Sequence, residues 1–212
     1  MANMQNSTAA KVRVLDRAEH LFNDRGYTGV SMRDIADSLA MRQASLYYHV
    51  PEGKEQLYVE VATRSLRRHQ AGINEAVAAT QGWQLDQRLW ALADWFIGHA
   101  PLRLLSMLET DMASLSSEHA QLLTRLAYES LFVPIANIFA EAQERGEIRL
   151  LDPPQLAGYF LSLMDGISYS STSGLVDTKM DILVGDALNV LLNGLYKRRP
   201  AVDSASSETD IV

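Results

Sequence analysis

Residues 26–57 read GYTGVSMRDIADSLAMRQASLYYHVPEGKEQL, and this stretch indicates the structure of the N-terminal part of the chain. Ser31 has the side chain of a helix N-cap, and Asp34, three residues later, resembles the second member of a capping box. These two residues predict the start of a short helix, which ends at a turn made by Ala40 and Met41. A second short helix follows directly, so the stretch predicts a helix-turn-helix.

The second short helix is predicted over residues 42–49, because Pro51 and Gly53 stop it. Leu46 and Val50, four residues apart, anchor its inward face. The outward side chains are those of Arg42, Gln43, Ser45, Tyr48 and His49. Arginine and glutamine can read guanine and adenine edges in the major groove, and hydroxyl groups can bind phosphate oxygens. This surface is typical of a DNA-reading helix; the alternative is that the side chains only pack a small three-helix domain.

A third helix is predicted before this pair. Residues 11–25 carry apolar side chains at a helical period, and Gly26 ends the helix as a C′ glycine does. Residues 12–57 as a whole resemble the DNA-binding domain of the tetracycline-repressor (TetR) family of bacterial regulators. The resemblance is carried by LDRAEHLFNDRGYTGVSMRDIA and, more specifically, by SLYYHVPEGKEQL.

The resemblance implies an all-α homodimer in which an N-terminal three-helix DNA-binding domain precedes a larger helical domain for ligand binding and dimerisation. We assign residues 1–54 to the first domain and 55–199 to the second; residues 200–212, small and polar, are predicted to be a disordered tail. The family's DNA contacts fall on Ser31, Arg33, Arg42, Gln43, Ser45, Tyr47, Tyr48, His49 and Lys54.

Two of these positions carry a specific structural expectation. Lys54 opens the next helix, where its ammonium and the free amides can jointly hold a phosphate. Ser31 can touch phosphate as well as cap its helix. The chain departs from the family at the turn, where Ala40 replaces the common glycine. A non-glycine residue in a left-handed turn costs about 1 kcal/mol.

Composition indicates a cytoplasmic globular protein. The 212 residues include no cysteine, which excludes disulfides and thiolate metal sites. We find no secretory signal and no uninterrupted apolar stretch of about 18 residues that would indicate a transmembrane helix. The net charge is −7 overall; residues 1–54 hold seven basic and six acidic side chains (+1), and residues 55–212 hold twelve and twenty (−8). DNA binding is therefore expected to depend on dimer geometry and a few contacts, not on a broad basic surface.

The larger domain is predicted to be helical over residues 55–79, 85–99, 101–113, 118–145, 153–171 and 179–197. The last two helices carry small-residue and apolar stripes that favour packing against a second subunit, and TetR-family proteins dimerise through their last two helices. The predicted interface comprises Gly158, Ser162, Gly166, Ser170, Leu183, Ala187, Leu188, Val190, Leu191 and Gly194. The alternative is that both helices belong to an intrachain core.

The middle helices carry candidate ligand contacts, since they combine large apolar side chains with a few polar groups, as small-molecule sites do. The candidates are Trp95, His99, Met107, Asp111, Tyr128, Phe132 and Asp165. Their aromatic character favours an apolar or aromatic ligand; the alternative is that they are ordinary core.

Enzymatic function is not indicated. The sequence has no Gly-rich phosphate loop, no Cys nucleophile and no HExxH motif, and its five histidines are not paired at metal-ligand spacing. We therefore predict neither a cofactor nor a metal. Three hypotheses remain: a repressor that a ligand releases from a palindromic operator, a DNA-binding regulator without a small-molecule effector, and an all-α ligand-binding or catalytic protein that does not read DNA.

Overall fold

The computed structural model describes residues 2–99, 103–104, 107–174 and 177–196, with the side chains of residues 2–8 and 172 excepted. The helices are α1 (Ala2–Arg25), α2 (Met32–Ser38), α3 (Gln43–His49), α4 (Lys54–Ala79), α5 (Leu85–Ile97), α6 (Ser117–Glu144), α7 (Pro153–Thr172) and α8 (Met180–Leu195). A π-helical turn, Met107–Asp111, and a 3₁₀ turn, Met112–Ser114, stand where a helix was predicted over residues 101–113. The all-α fold is confirmed, and the predicted tail, residues 200–212, lies outside the described residues.

Helices α1 to α3 pack around a small apolar core, in which Ile35 and Leu46 are fully buried. The predicted capping box of α2 is confirmed. The Ser31 hydroxyl accepts a hydrogen bond from the Asp34 N–H (3.2 Å), and the Asp34 carboxylate accepts one from the Ser31 N–H (2.7 Å). Ala40 has a φ of 52°, so the turn is left-handed although it has no glycine.

Helix α4 belongs to both predicted domains. It runs without a break from Lys54 to Ala79, so the boundary between residues 54 and 55 divides the sequence but not the helix. Ion pairs join α4 to α1: nitrogens of Arg64 and Arg68 lie 2.8 Å and 2.6 Å from the Glu19 carboxylate. Burial alone would raise the pKa of Glu19, but the hydrogen bonds from these two arginines outweigh it and lower the pKa.

Helix α6 confirms the single helix predicted over residues 118–145, with one irregular turn. Residues Tyr128–Phe132 form a π-helical turn. Pro134 has no N–H to donate to the carbonyl of Ser130, and its ring crowds that carbonyl, so a widened turn just before the proline follows from its chemistry. By length and composition α6 is able to cross a membrane, with a mean hydropathy of 1.2 over its most apolar window, but 44% of that window is buried inside the protein. Core helices pass the same test.

Helices α7 and α8 pack on each other and on α5. Leu188, predicted at a dimer interface, is fully buried within the chain and belongs to the intrachain core. Gly158 also faces inward, since a Cβ there would lie 3.5 Å from the Phe132 ring. A Cβ on Gly166 or Gly194 would meet no described atom within 4 Å.

The remaining residues of the predicted interface fall into two sets. Among the described residues, Ser162, Gly166, Val190 and Gly194 are exposed, and Ser170, Leu183, Ala187 and Leu191 are half-buried. The outer surface of α7 and α8 therefore keeps small and apolar side chains in contact with solvent.

Candidate nucleic-acid interface

Helix α3 is fixed to the domain by one face and leaves the other in solvent. Leu46 is fully buried, and Val50, at the end of the helix, is nearly so. The opposite face carries Gln43, Ser45 and Tyr48, all exposed, with 78% of the Tyr48 surface in solvent. Two apolar anchors thus hold the helix, and its hydrogen-bonding face is accessible to the major groove.

Arg42 begins this face. It is the N-cap of α3, with an extended backbone (φ −71°, ψ 142°) and an exposed side chain. Arg42 and Gln43 therefore lie together at the start of the helix, where the first residues of a recognition helix meet base edges. Tyr47 is 41% exposed and lies at the border of the face. The Tyr48 ring packs edge-on against His49, with the ring centres 5.3 Å apart.

Helix α2 adds two side chains to the same candidate interface. The Arg33 side chain is 81% exposed, and its Nε lies 3.6 Å from the Asp37 carboxylate. An exposed pair of this kind is weak, so a phosphate can replace the carboxylate at little cost. The Ser31 hydroxyl donates to Asp34 (2.5 Å), and this bonding lowers the pKa of Asp34. Ser31 is thus part of the cap, and its contact with phosphate stays a prediction.

Lys54 differs from the expectation. Its Nζ donates to the carbonyl oxygens of Tyr27 (2.9 Å) and Val30 (3.0 Å) and lies 4.0 Å from the centre of the Tyr27 ring. Burial lowers the pKa of Lys54, and the nearby charge of Asp111 opposes that shift. The ammonium satisfies two carbonyl groups that precede α2 and have no helical partner, so the prediction that it binds phosphate loses its support.

The candidate ligand residues do not share one set of contacts. The Trp95 ring stacks on His99 at 4.2 Å between centres, and the Tyr128 ring lies 5.9 Å from that of Phe132. Trp95 also fills the space beside Gly72 of α4, where a Cβ would lie 1.9 Å from the indole. The first pair therefore belongs to the packing between α4 and α5, and the second lies on the π-turn of α6.

The other three candidates lie on or beside the segment that precedes α6. Met107 and Asp111 line a cavity of about 30 Å³, which holds about two water molecules and is too small for a typical effector. Asp165 accepts a hydrogen bond from the Leu104 N–H (3.0 Å). The seven predicted ligand residues thus form three groups.

Sequence reasoning did not single out His69 of α4 as a ligand contact. Its ring is buried, its Nδ1 lies 2.9 Å from the carbonyl oxygen of Ser65, and it meets the Trp95 ring edge-on at 5.0 Å. Burial lowers the pKa of His69 to about 4, so the ring is neutral at pH 7. The sequence indicates this burial only by spacing, because His69 lies three residues after Leu66 and four before Ile73 on the apolar face of the helix.

Comparison with known proteins places the N-terminal part of the chain. Residues 14–61 match the family described as bacterial regulatory proteins, tetR family. Over 48 residues the chain is 42% identical to IcaR of Staphylococcus epidermidis, the HTH-type negative transcriptional regulator of the biofilm operon icaADBC. The match covers 23% of this chain and 25% of that regulator, so it spans about a quarter of the relative.

Solved structures match over almost the whole chain. A transcriptional regulator from Saccharomonospora viridis in complex with choline is 23% identical, with 90% of this chain and 100% of that chain covered and a TM-score of 0.69. A tetR-family regulatory protein from Rhodococcus RHA1 is 21% identical, with 90% and 98% covered and a TM-score of 0.73. AibR in complex with isovaleryl coenzyme A and operator DNA is 22% identical, with 86% and 97% covered and a TM-score of 0.70. At these identities the likeness shows the fold alone.

The all-α fold and the exposed face of α3 are those of a chain with an N-terminal helix-turn-helix domain followed by a larger helical domain. Residues 14–61, which contain this helix-turn-helix, match the family described as bacterial regulatory proteins, tetR family.

Proposed function

We propose that the protein is a dimeric repressor that binds a palindromic operator and is released from it by a small apolar or aromatic ligand. The observation that carries the proposal is the α3 surface, where Arg42, Gln43, Ser45 and Tyr48 are all exposed. Arginine pairs with guanine edges and glutamine with adenine edges, so the face combines base-reading groups with hydroxyl groups suited to phosphate.

The comparisons support DNA binding and repression. IcaR is described as a negative transcriptional regulator, and the AibR structure contains operator DNA. The small positive charge of the DNA-binding domain supports a dimer, because two weakly basic domains need to be held together to bind tightly. Paired recognition helices about 34–36 Å apart read successive half-sites on one side of the duplex.

A second copy of the chain is the proposed partner of the outer surface of α7 and α8. Large apolar side chains there have high exposed fractions: Tyr159 (51%), Tyr169 (61%), Ile182 (51%) and Val190 (76%). Large exposed apolar patches mark interaction sites, and these four side chains lie on two helices that pack on each other. The open space around Gly166 and Gly194 lets a partner helix approach closely.

The proposed effector is a small apolar or aromatic molecule. The structural relatives differ in their small molecules. One is in complex with choline and another with isovaleryl coenzyme A, and KstR2 of Mycobacterium tuberculosis is described as a ketosteroid transcriptional regulator. The apolar or aromatic class of the ligand is proposed from the aromatic composition of the middle helices, because Trp95, His99 and the neutral His69 pack against one another between α4 and α5. The small size of the cavity beside Met107 favours the second candidate, a regulator without a small-molecule effector.

Gel shift with the DNA upstream of the protein's own gene, followed by selection from random duplexes, tests operator binding. Gln43→Ala should weaken specific binding by about 1–3 kcal/mol, or roughly 5- to 150-fold, and Tyr48→Ala should also weaken it. Gln121→Ala is the matched control, because Gln121 is exposed on α6, away from α3. Unchanged operator affinity for both α3 variants would overturn the recognition-helix assignment.

Light scattering at micromolar concentration tests the dimer. Val190→Arg should yield monomers, since it puts a charge into the proposed interface, whereas Val12→Arg on exposed α1 should leave the dimer intact. A wild-type monomer would refute the proposal. Thermal shift against a compound library separates the ligand-responsive regulator from one without an effector.

A further inference from the structure

Asp111 joins the segment before α6 to the DNA-binding domain. The residue is buried, with 6% of its surface exposed. Oδ1 accepts a hydrogen bond from the backbone N–H of Tyr27 (2.9 Å), and Oδ2 accepts one from the hydroxyl of Tyr58 (2.8 Å). Both oxygens are therefore bonded to the N-terminal half of the chain, across 84 and 53 residues of sequence.

Tyr27, whose N–H donates to Asp111, makes further contacts with α4. The Tyr27 carbonyl accepts from Lys54 (2.9 Å), and its ring meets the Tyr58 ring edge-on at 5.1 Å. Gly26 permits the approach, since a Cβ there would lie only 3.3 Å from the Asp111 carboxylate. Tyr27 leads directly into α2, so these contacts set where the helix-turn-helix begins.

The segment that carries Asp111 is attached at its other end to α7. The Leu104 N–H donates to Asp165 (3.0 Å), and the Arg103 guanidinium donates to the carbonyl of Asn23 at the end of α1. Leu104, Arg103 and Asp111 therefore connect α7, which carries part of the proposed dimer surface, to α1 and to the loop before α2.

A second contact lies beside it. The Ser116 N–H donates to Glu55 (2.8 Å), and Nδ1 of His119 lies 2.7 Å from the same carboxylate oxygen. Glu55 follows Lys54 at the start of α4, and the hydrogen bonds from Ser116 and then His119 lower its pKa to about 2. Two carboxylates thus join the segment before α6 to the N-terminal part of the structure: Asp111 of the segment accepts from Tyr27 and Tyr58, and Glu55 at the start of α4 accepts from Ser116.

We propose that Asp111 is a positioning residue that fixes the orientation of the DNA-binding domain on the dimer, and so selects the half-site spacing of the operator. The inference rests on the proposed function, because spacing has meaning only for a DNA-binding dimer. Asp111 does this without touching DNA, because it is buried and its bonds end at Tyr27 and Tyr58, not at the exposed face of α3. Without the two bonds of Asp111 the domain keeps its fold and the contacts of Arg103 and Glu55, but it samples a wider range of orientations.

The test compares operators whose half-site spacing is the selected one or is longer by one or two base pairs. Wild-type protein should prefer the selected spacing. Asp111→Ala should reduce that preference by about fivefold or more, the lower end of measured coupling effects. Glu109→Ala is the matched control, because Glu109 lies on the same turn and is exposed. A variant that is merely less stable loses affinity for every spacing equally and leaves the ratio unchanged, which would overturn the proposal.

Tyr58→Phe provides a second variant that removes one hydrogen bond and keeps the ring, for the case in which Asp111→Ala does not fold. It should reduce the spacing preference less than Asp111→Ala but in the same direction. An unchanged preference in Tyr58→Phe, together with unfolding of Asp111→Ala, would make the contact purely structural and refute the positioning role.

A distance measurement decides the question without DNA. The chain has no cysteine, so His20→Cys on exposed α1 carries a unique spin label in each protomer. The distance distribution between the two labels should broaden in Asp111→Ala and stay narrow in Glu109→Ala; equal widths would overturn the inference. Failure of wild-type protein to bind any operator would instead refute the proposed function, while this measurement still reports on the positioning.

Discussion

Lys54→Met should lower the free energy of unfolding by about 2–3 kcal/mol and leave the salt dependence of operator binding unchanged. The ammonium donates two hydrogen bonds, at 2.9 Å to the carbonyl of Tyr27 and 3.0 Å to that of Val30, and lies 4.0 Å above the Tyr27 ring. Each hydrogen bond of a charged group contributes about 1.5–3 kcal/mol to the free energy of unfolding, and the ring contact adds about 0.5–1 kcal/mol. The desolvation that lowers the pKa of Lys54 offsets part of this sum.

Urea unfolding at one fixed protein concentration measures the first quantity, because a dimer's apparent stability changes with concentration. Operator affinity between about 50 and 200 mM salt measures the second, since each phosphate contact contributes about −0.9 to the logarithmic slope. Lys54→Met should show a slope equal to that of wild type, because the ammonium points at backbone carbonyls and not at solvent.

Arg33→Met is the matched comparison and should show the reverse pattern. Its side chain is 81% exposed and its ion pair with Asp37 is 3.6 Å long, so stability should change by less than about 1 kcal/mol. The salt slope should fall by about 0.9 if the guanidinium binds phosphate. A Lys54→Met protein of unchanged stability whose slope falls by about 0.9 would refute the inward assignment and restore the phosphate contact.

Four further substitutions test individual features of the fold by urea unfolding. Gly72→Ala should destabilise the protein by about 1–3 kcal/mol, because the new methyl group overlaps the Trp95 ring. Gly166→Ala, with no described atom within reach, should stabilise its helix by about 0.5–1 kcal/mol yet weaken the dimer, as sedimentation at low concentration would show. Ala40→Gly should raise the free energy of unfolding by about 1 kcal/mol; a decrease would contradict the left-handed turn. Glu19→Gln should destabilise by about 1–2 kcal/mol at pH 7. Since the folded-state pKa of Glu19 lies below its ordinary value of 4.5, that difference should narrow as the pH falls below about 4.5.

Features that depend on neighbours in sequence were predictable. The capping box at Ser31 and the stop after His49 each follow from a few consecutive side chains. The inward faces of long helices follow from periodicity, as the burial of Leu57 and Ile73 in α4 shows. The outward set on α3 is the remainder once its two apolar anchors are assigned.

Features that depend on distant partners were not predictable. Asp111 looked like a ligand contact because it is a polar residue in an apolar segment, yet its partners are a backbone N–H and a hydroxyl far away in sequence. Lys54 was assigned to phosphate because it stands at a helix start, whereas the carbonyls it binds belong to a loop whose path the sequence does not specify. Backbone groups look the same at every position, so a pattern of side chains gives no sign of which one a charged group will meet.

Helix α4 also acts as a lever. Its 26 residues extend about 39 Å at 1.5 Å per residue, and α3 precedes it by only a short turn. If α4 tilts by about 5° about its end at Ala79, its other end at Lys54 therefore moves sideways by about 3.4 Å, the rise of one base pair. In a dimer that binds DNA, the orientation of α4 therefore determines which base pairs α3 can reach.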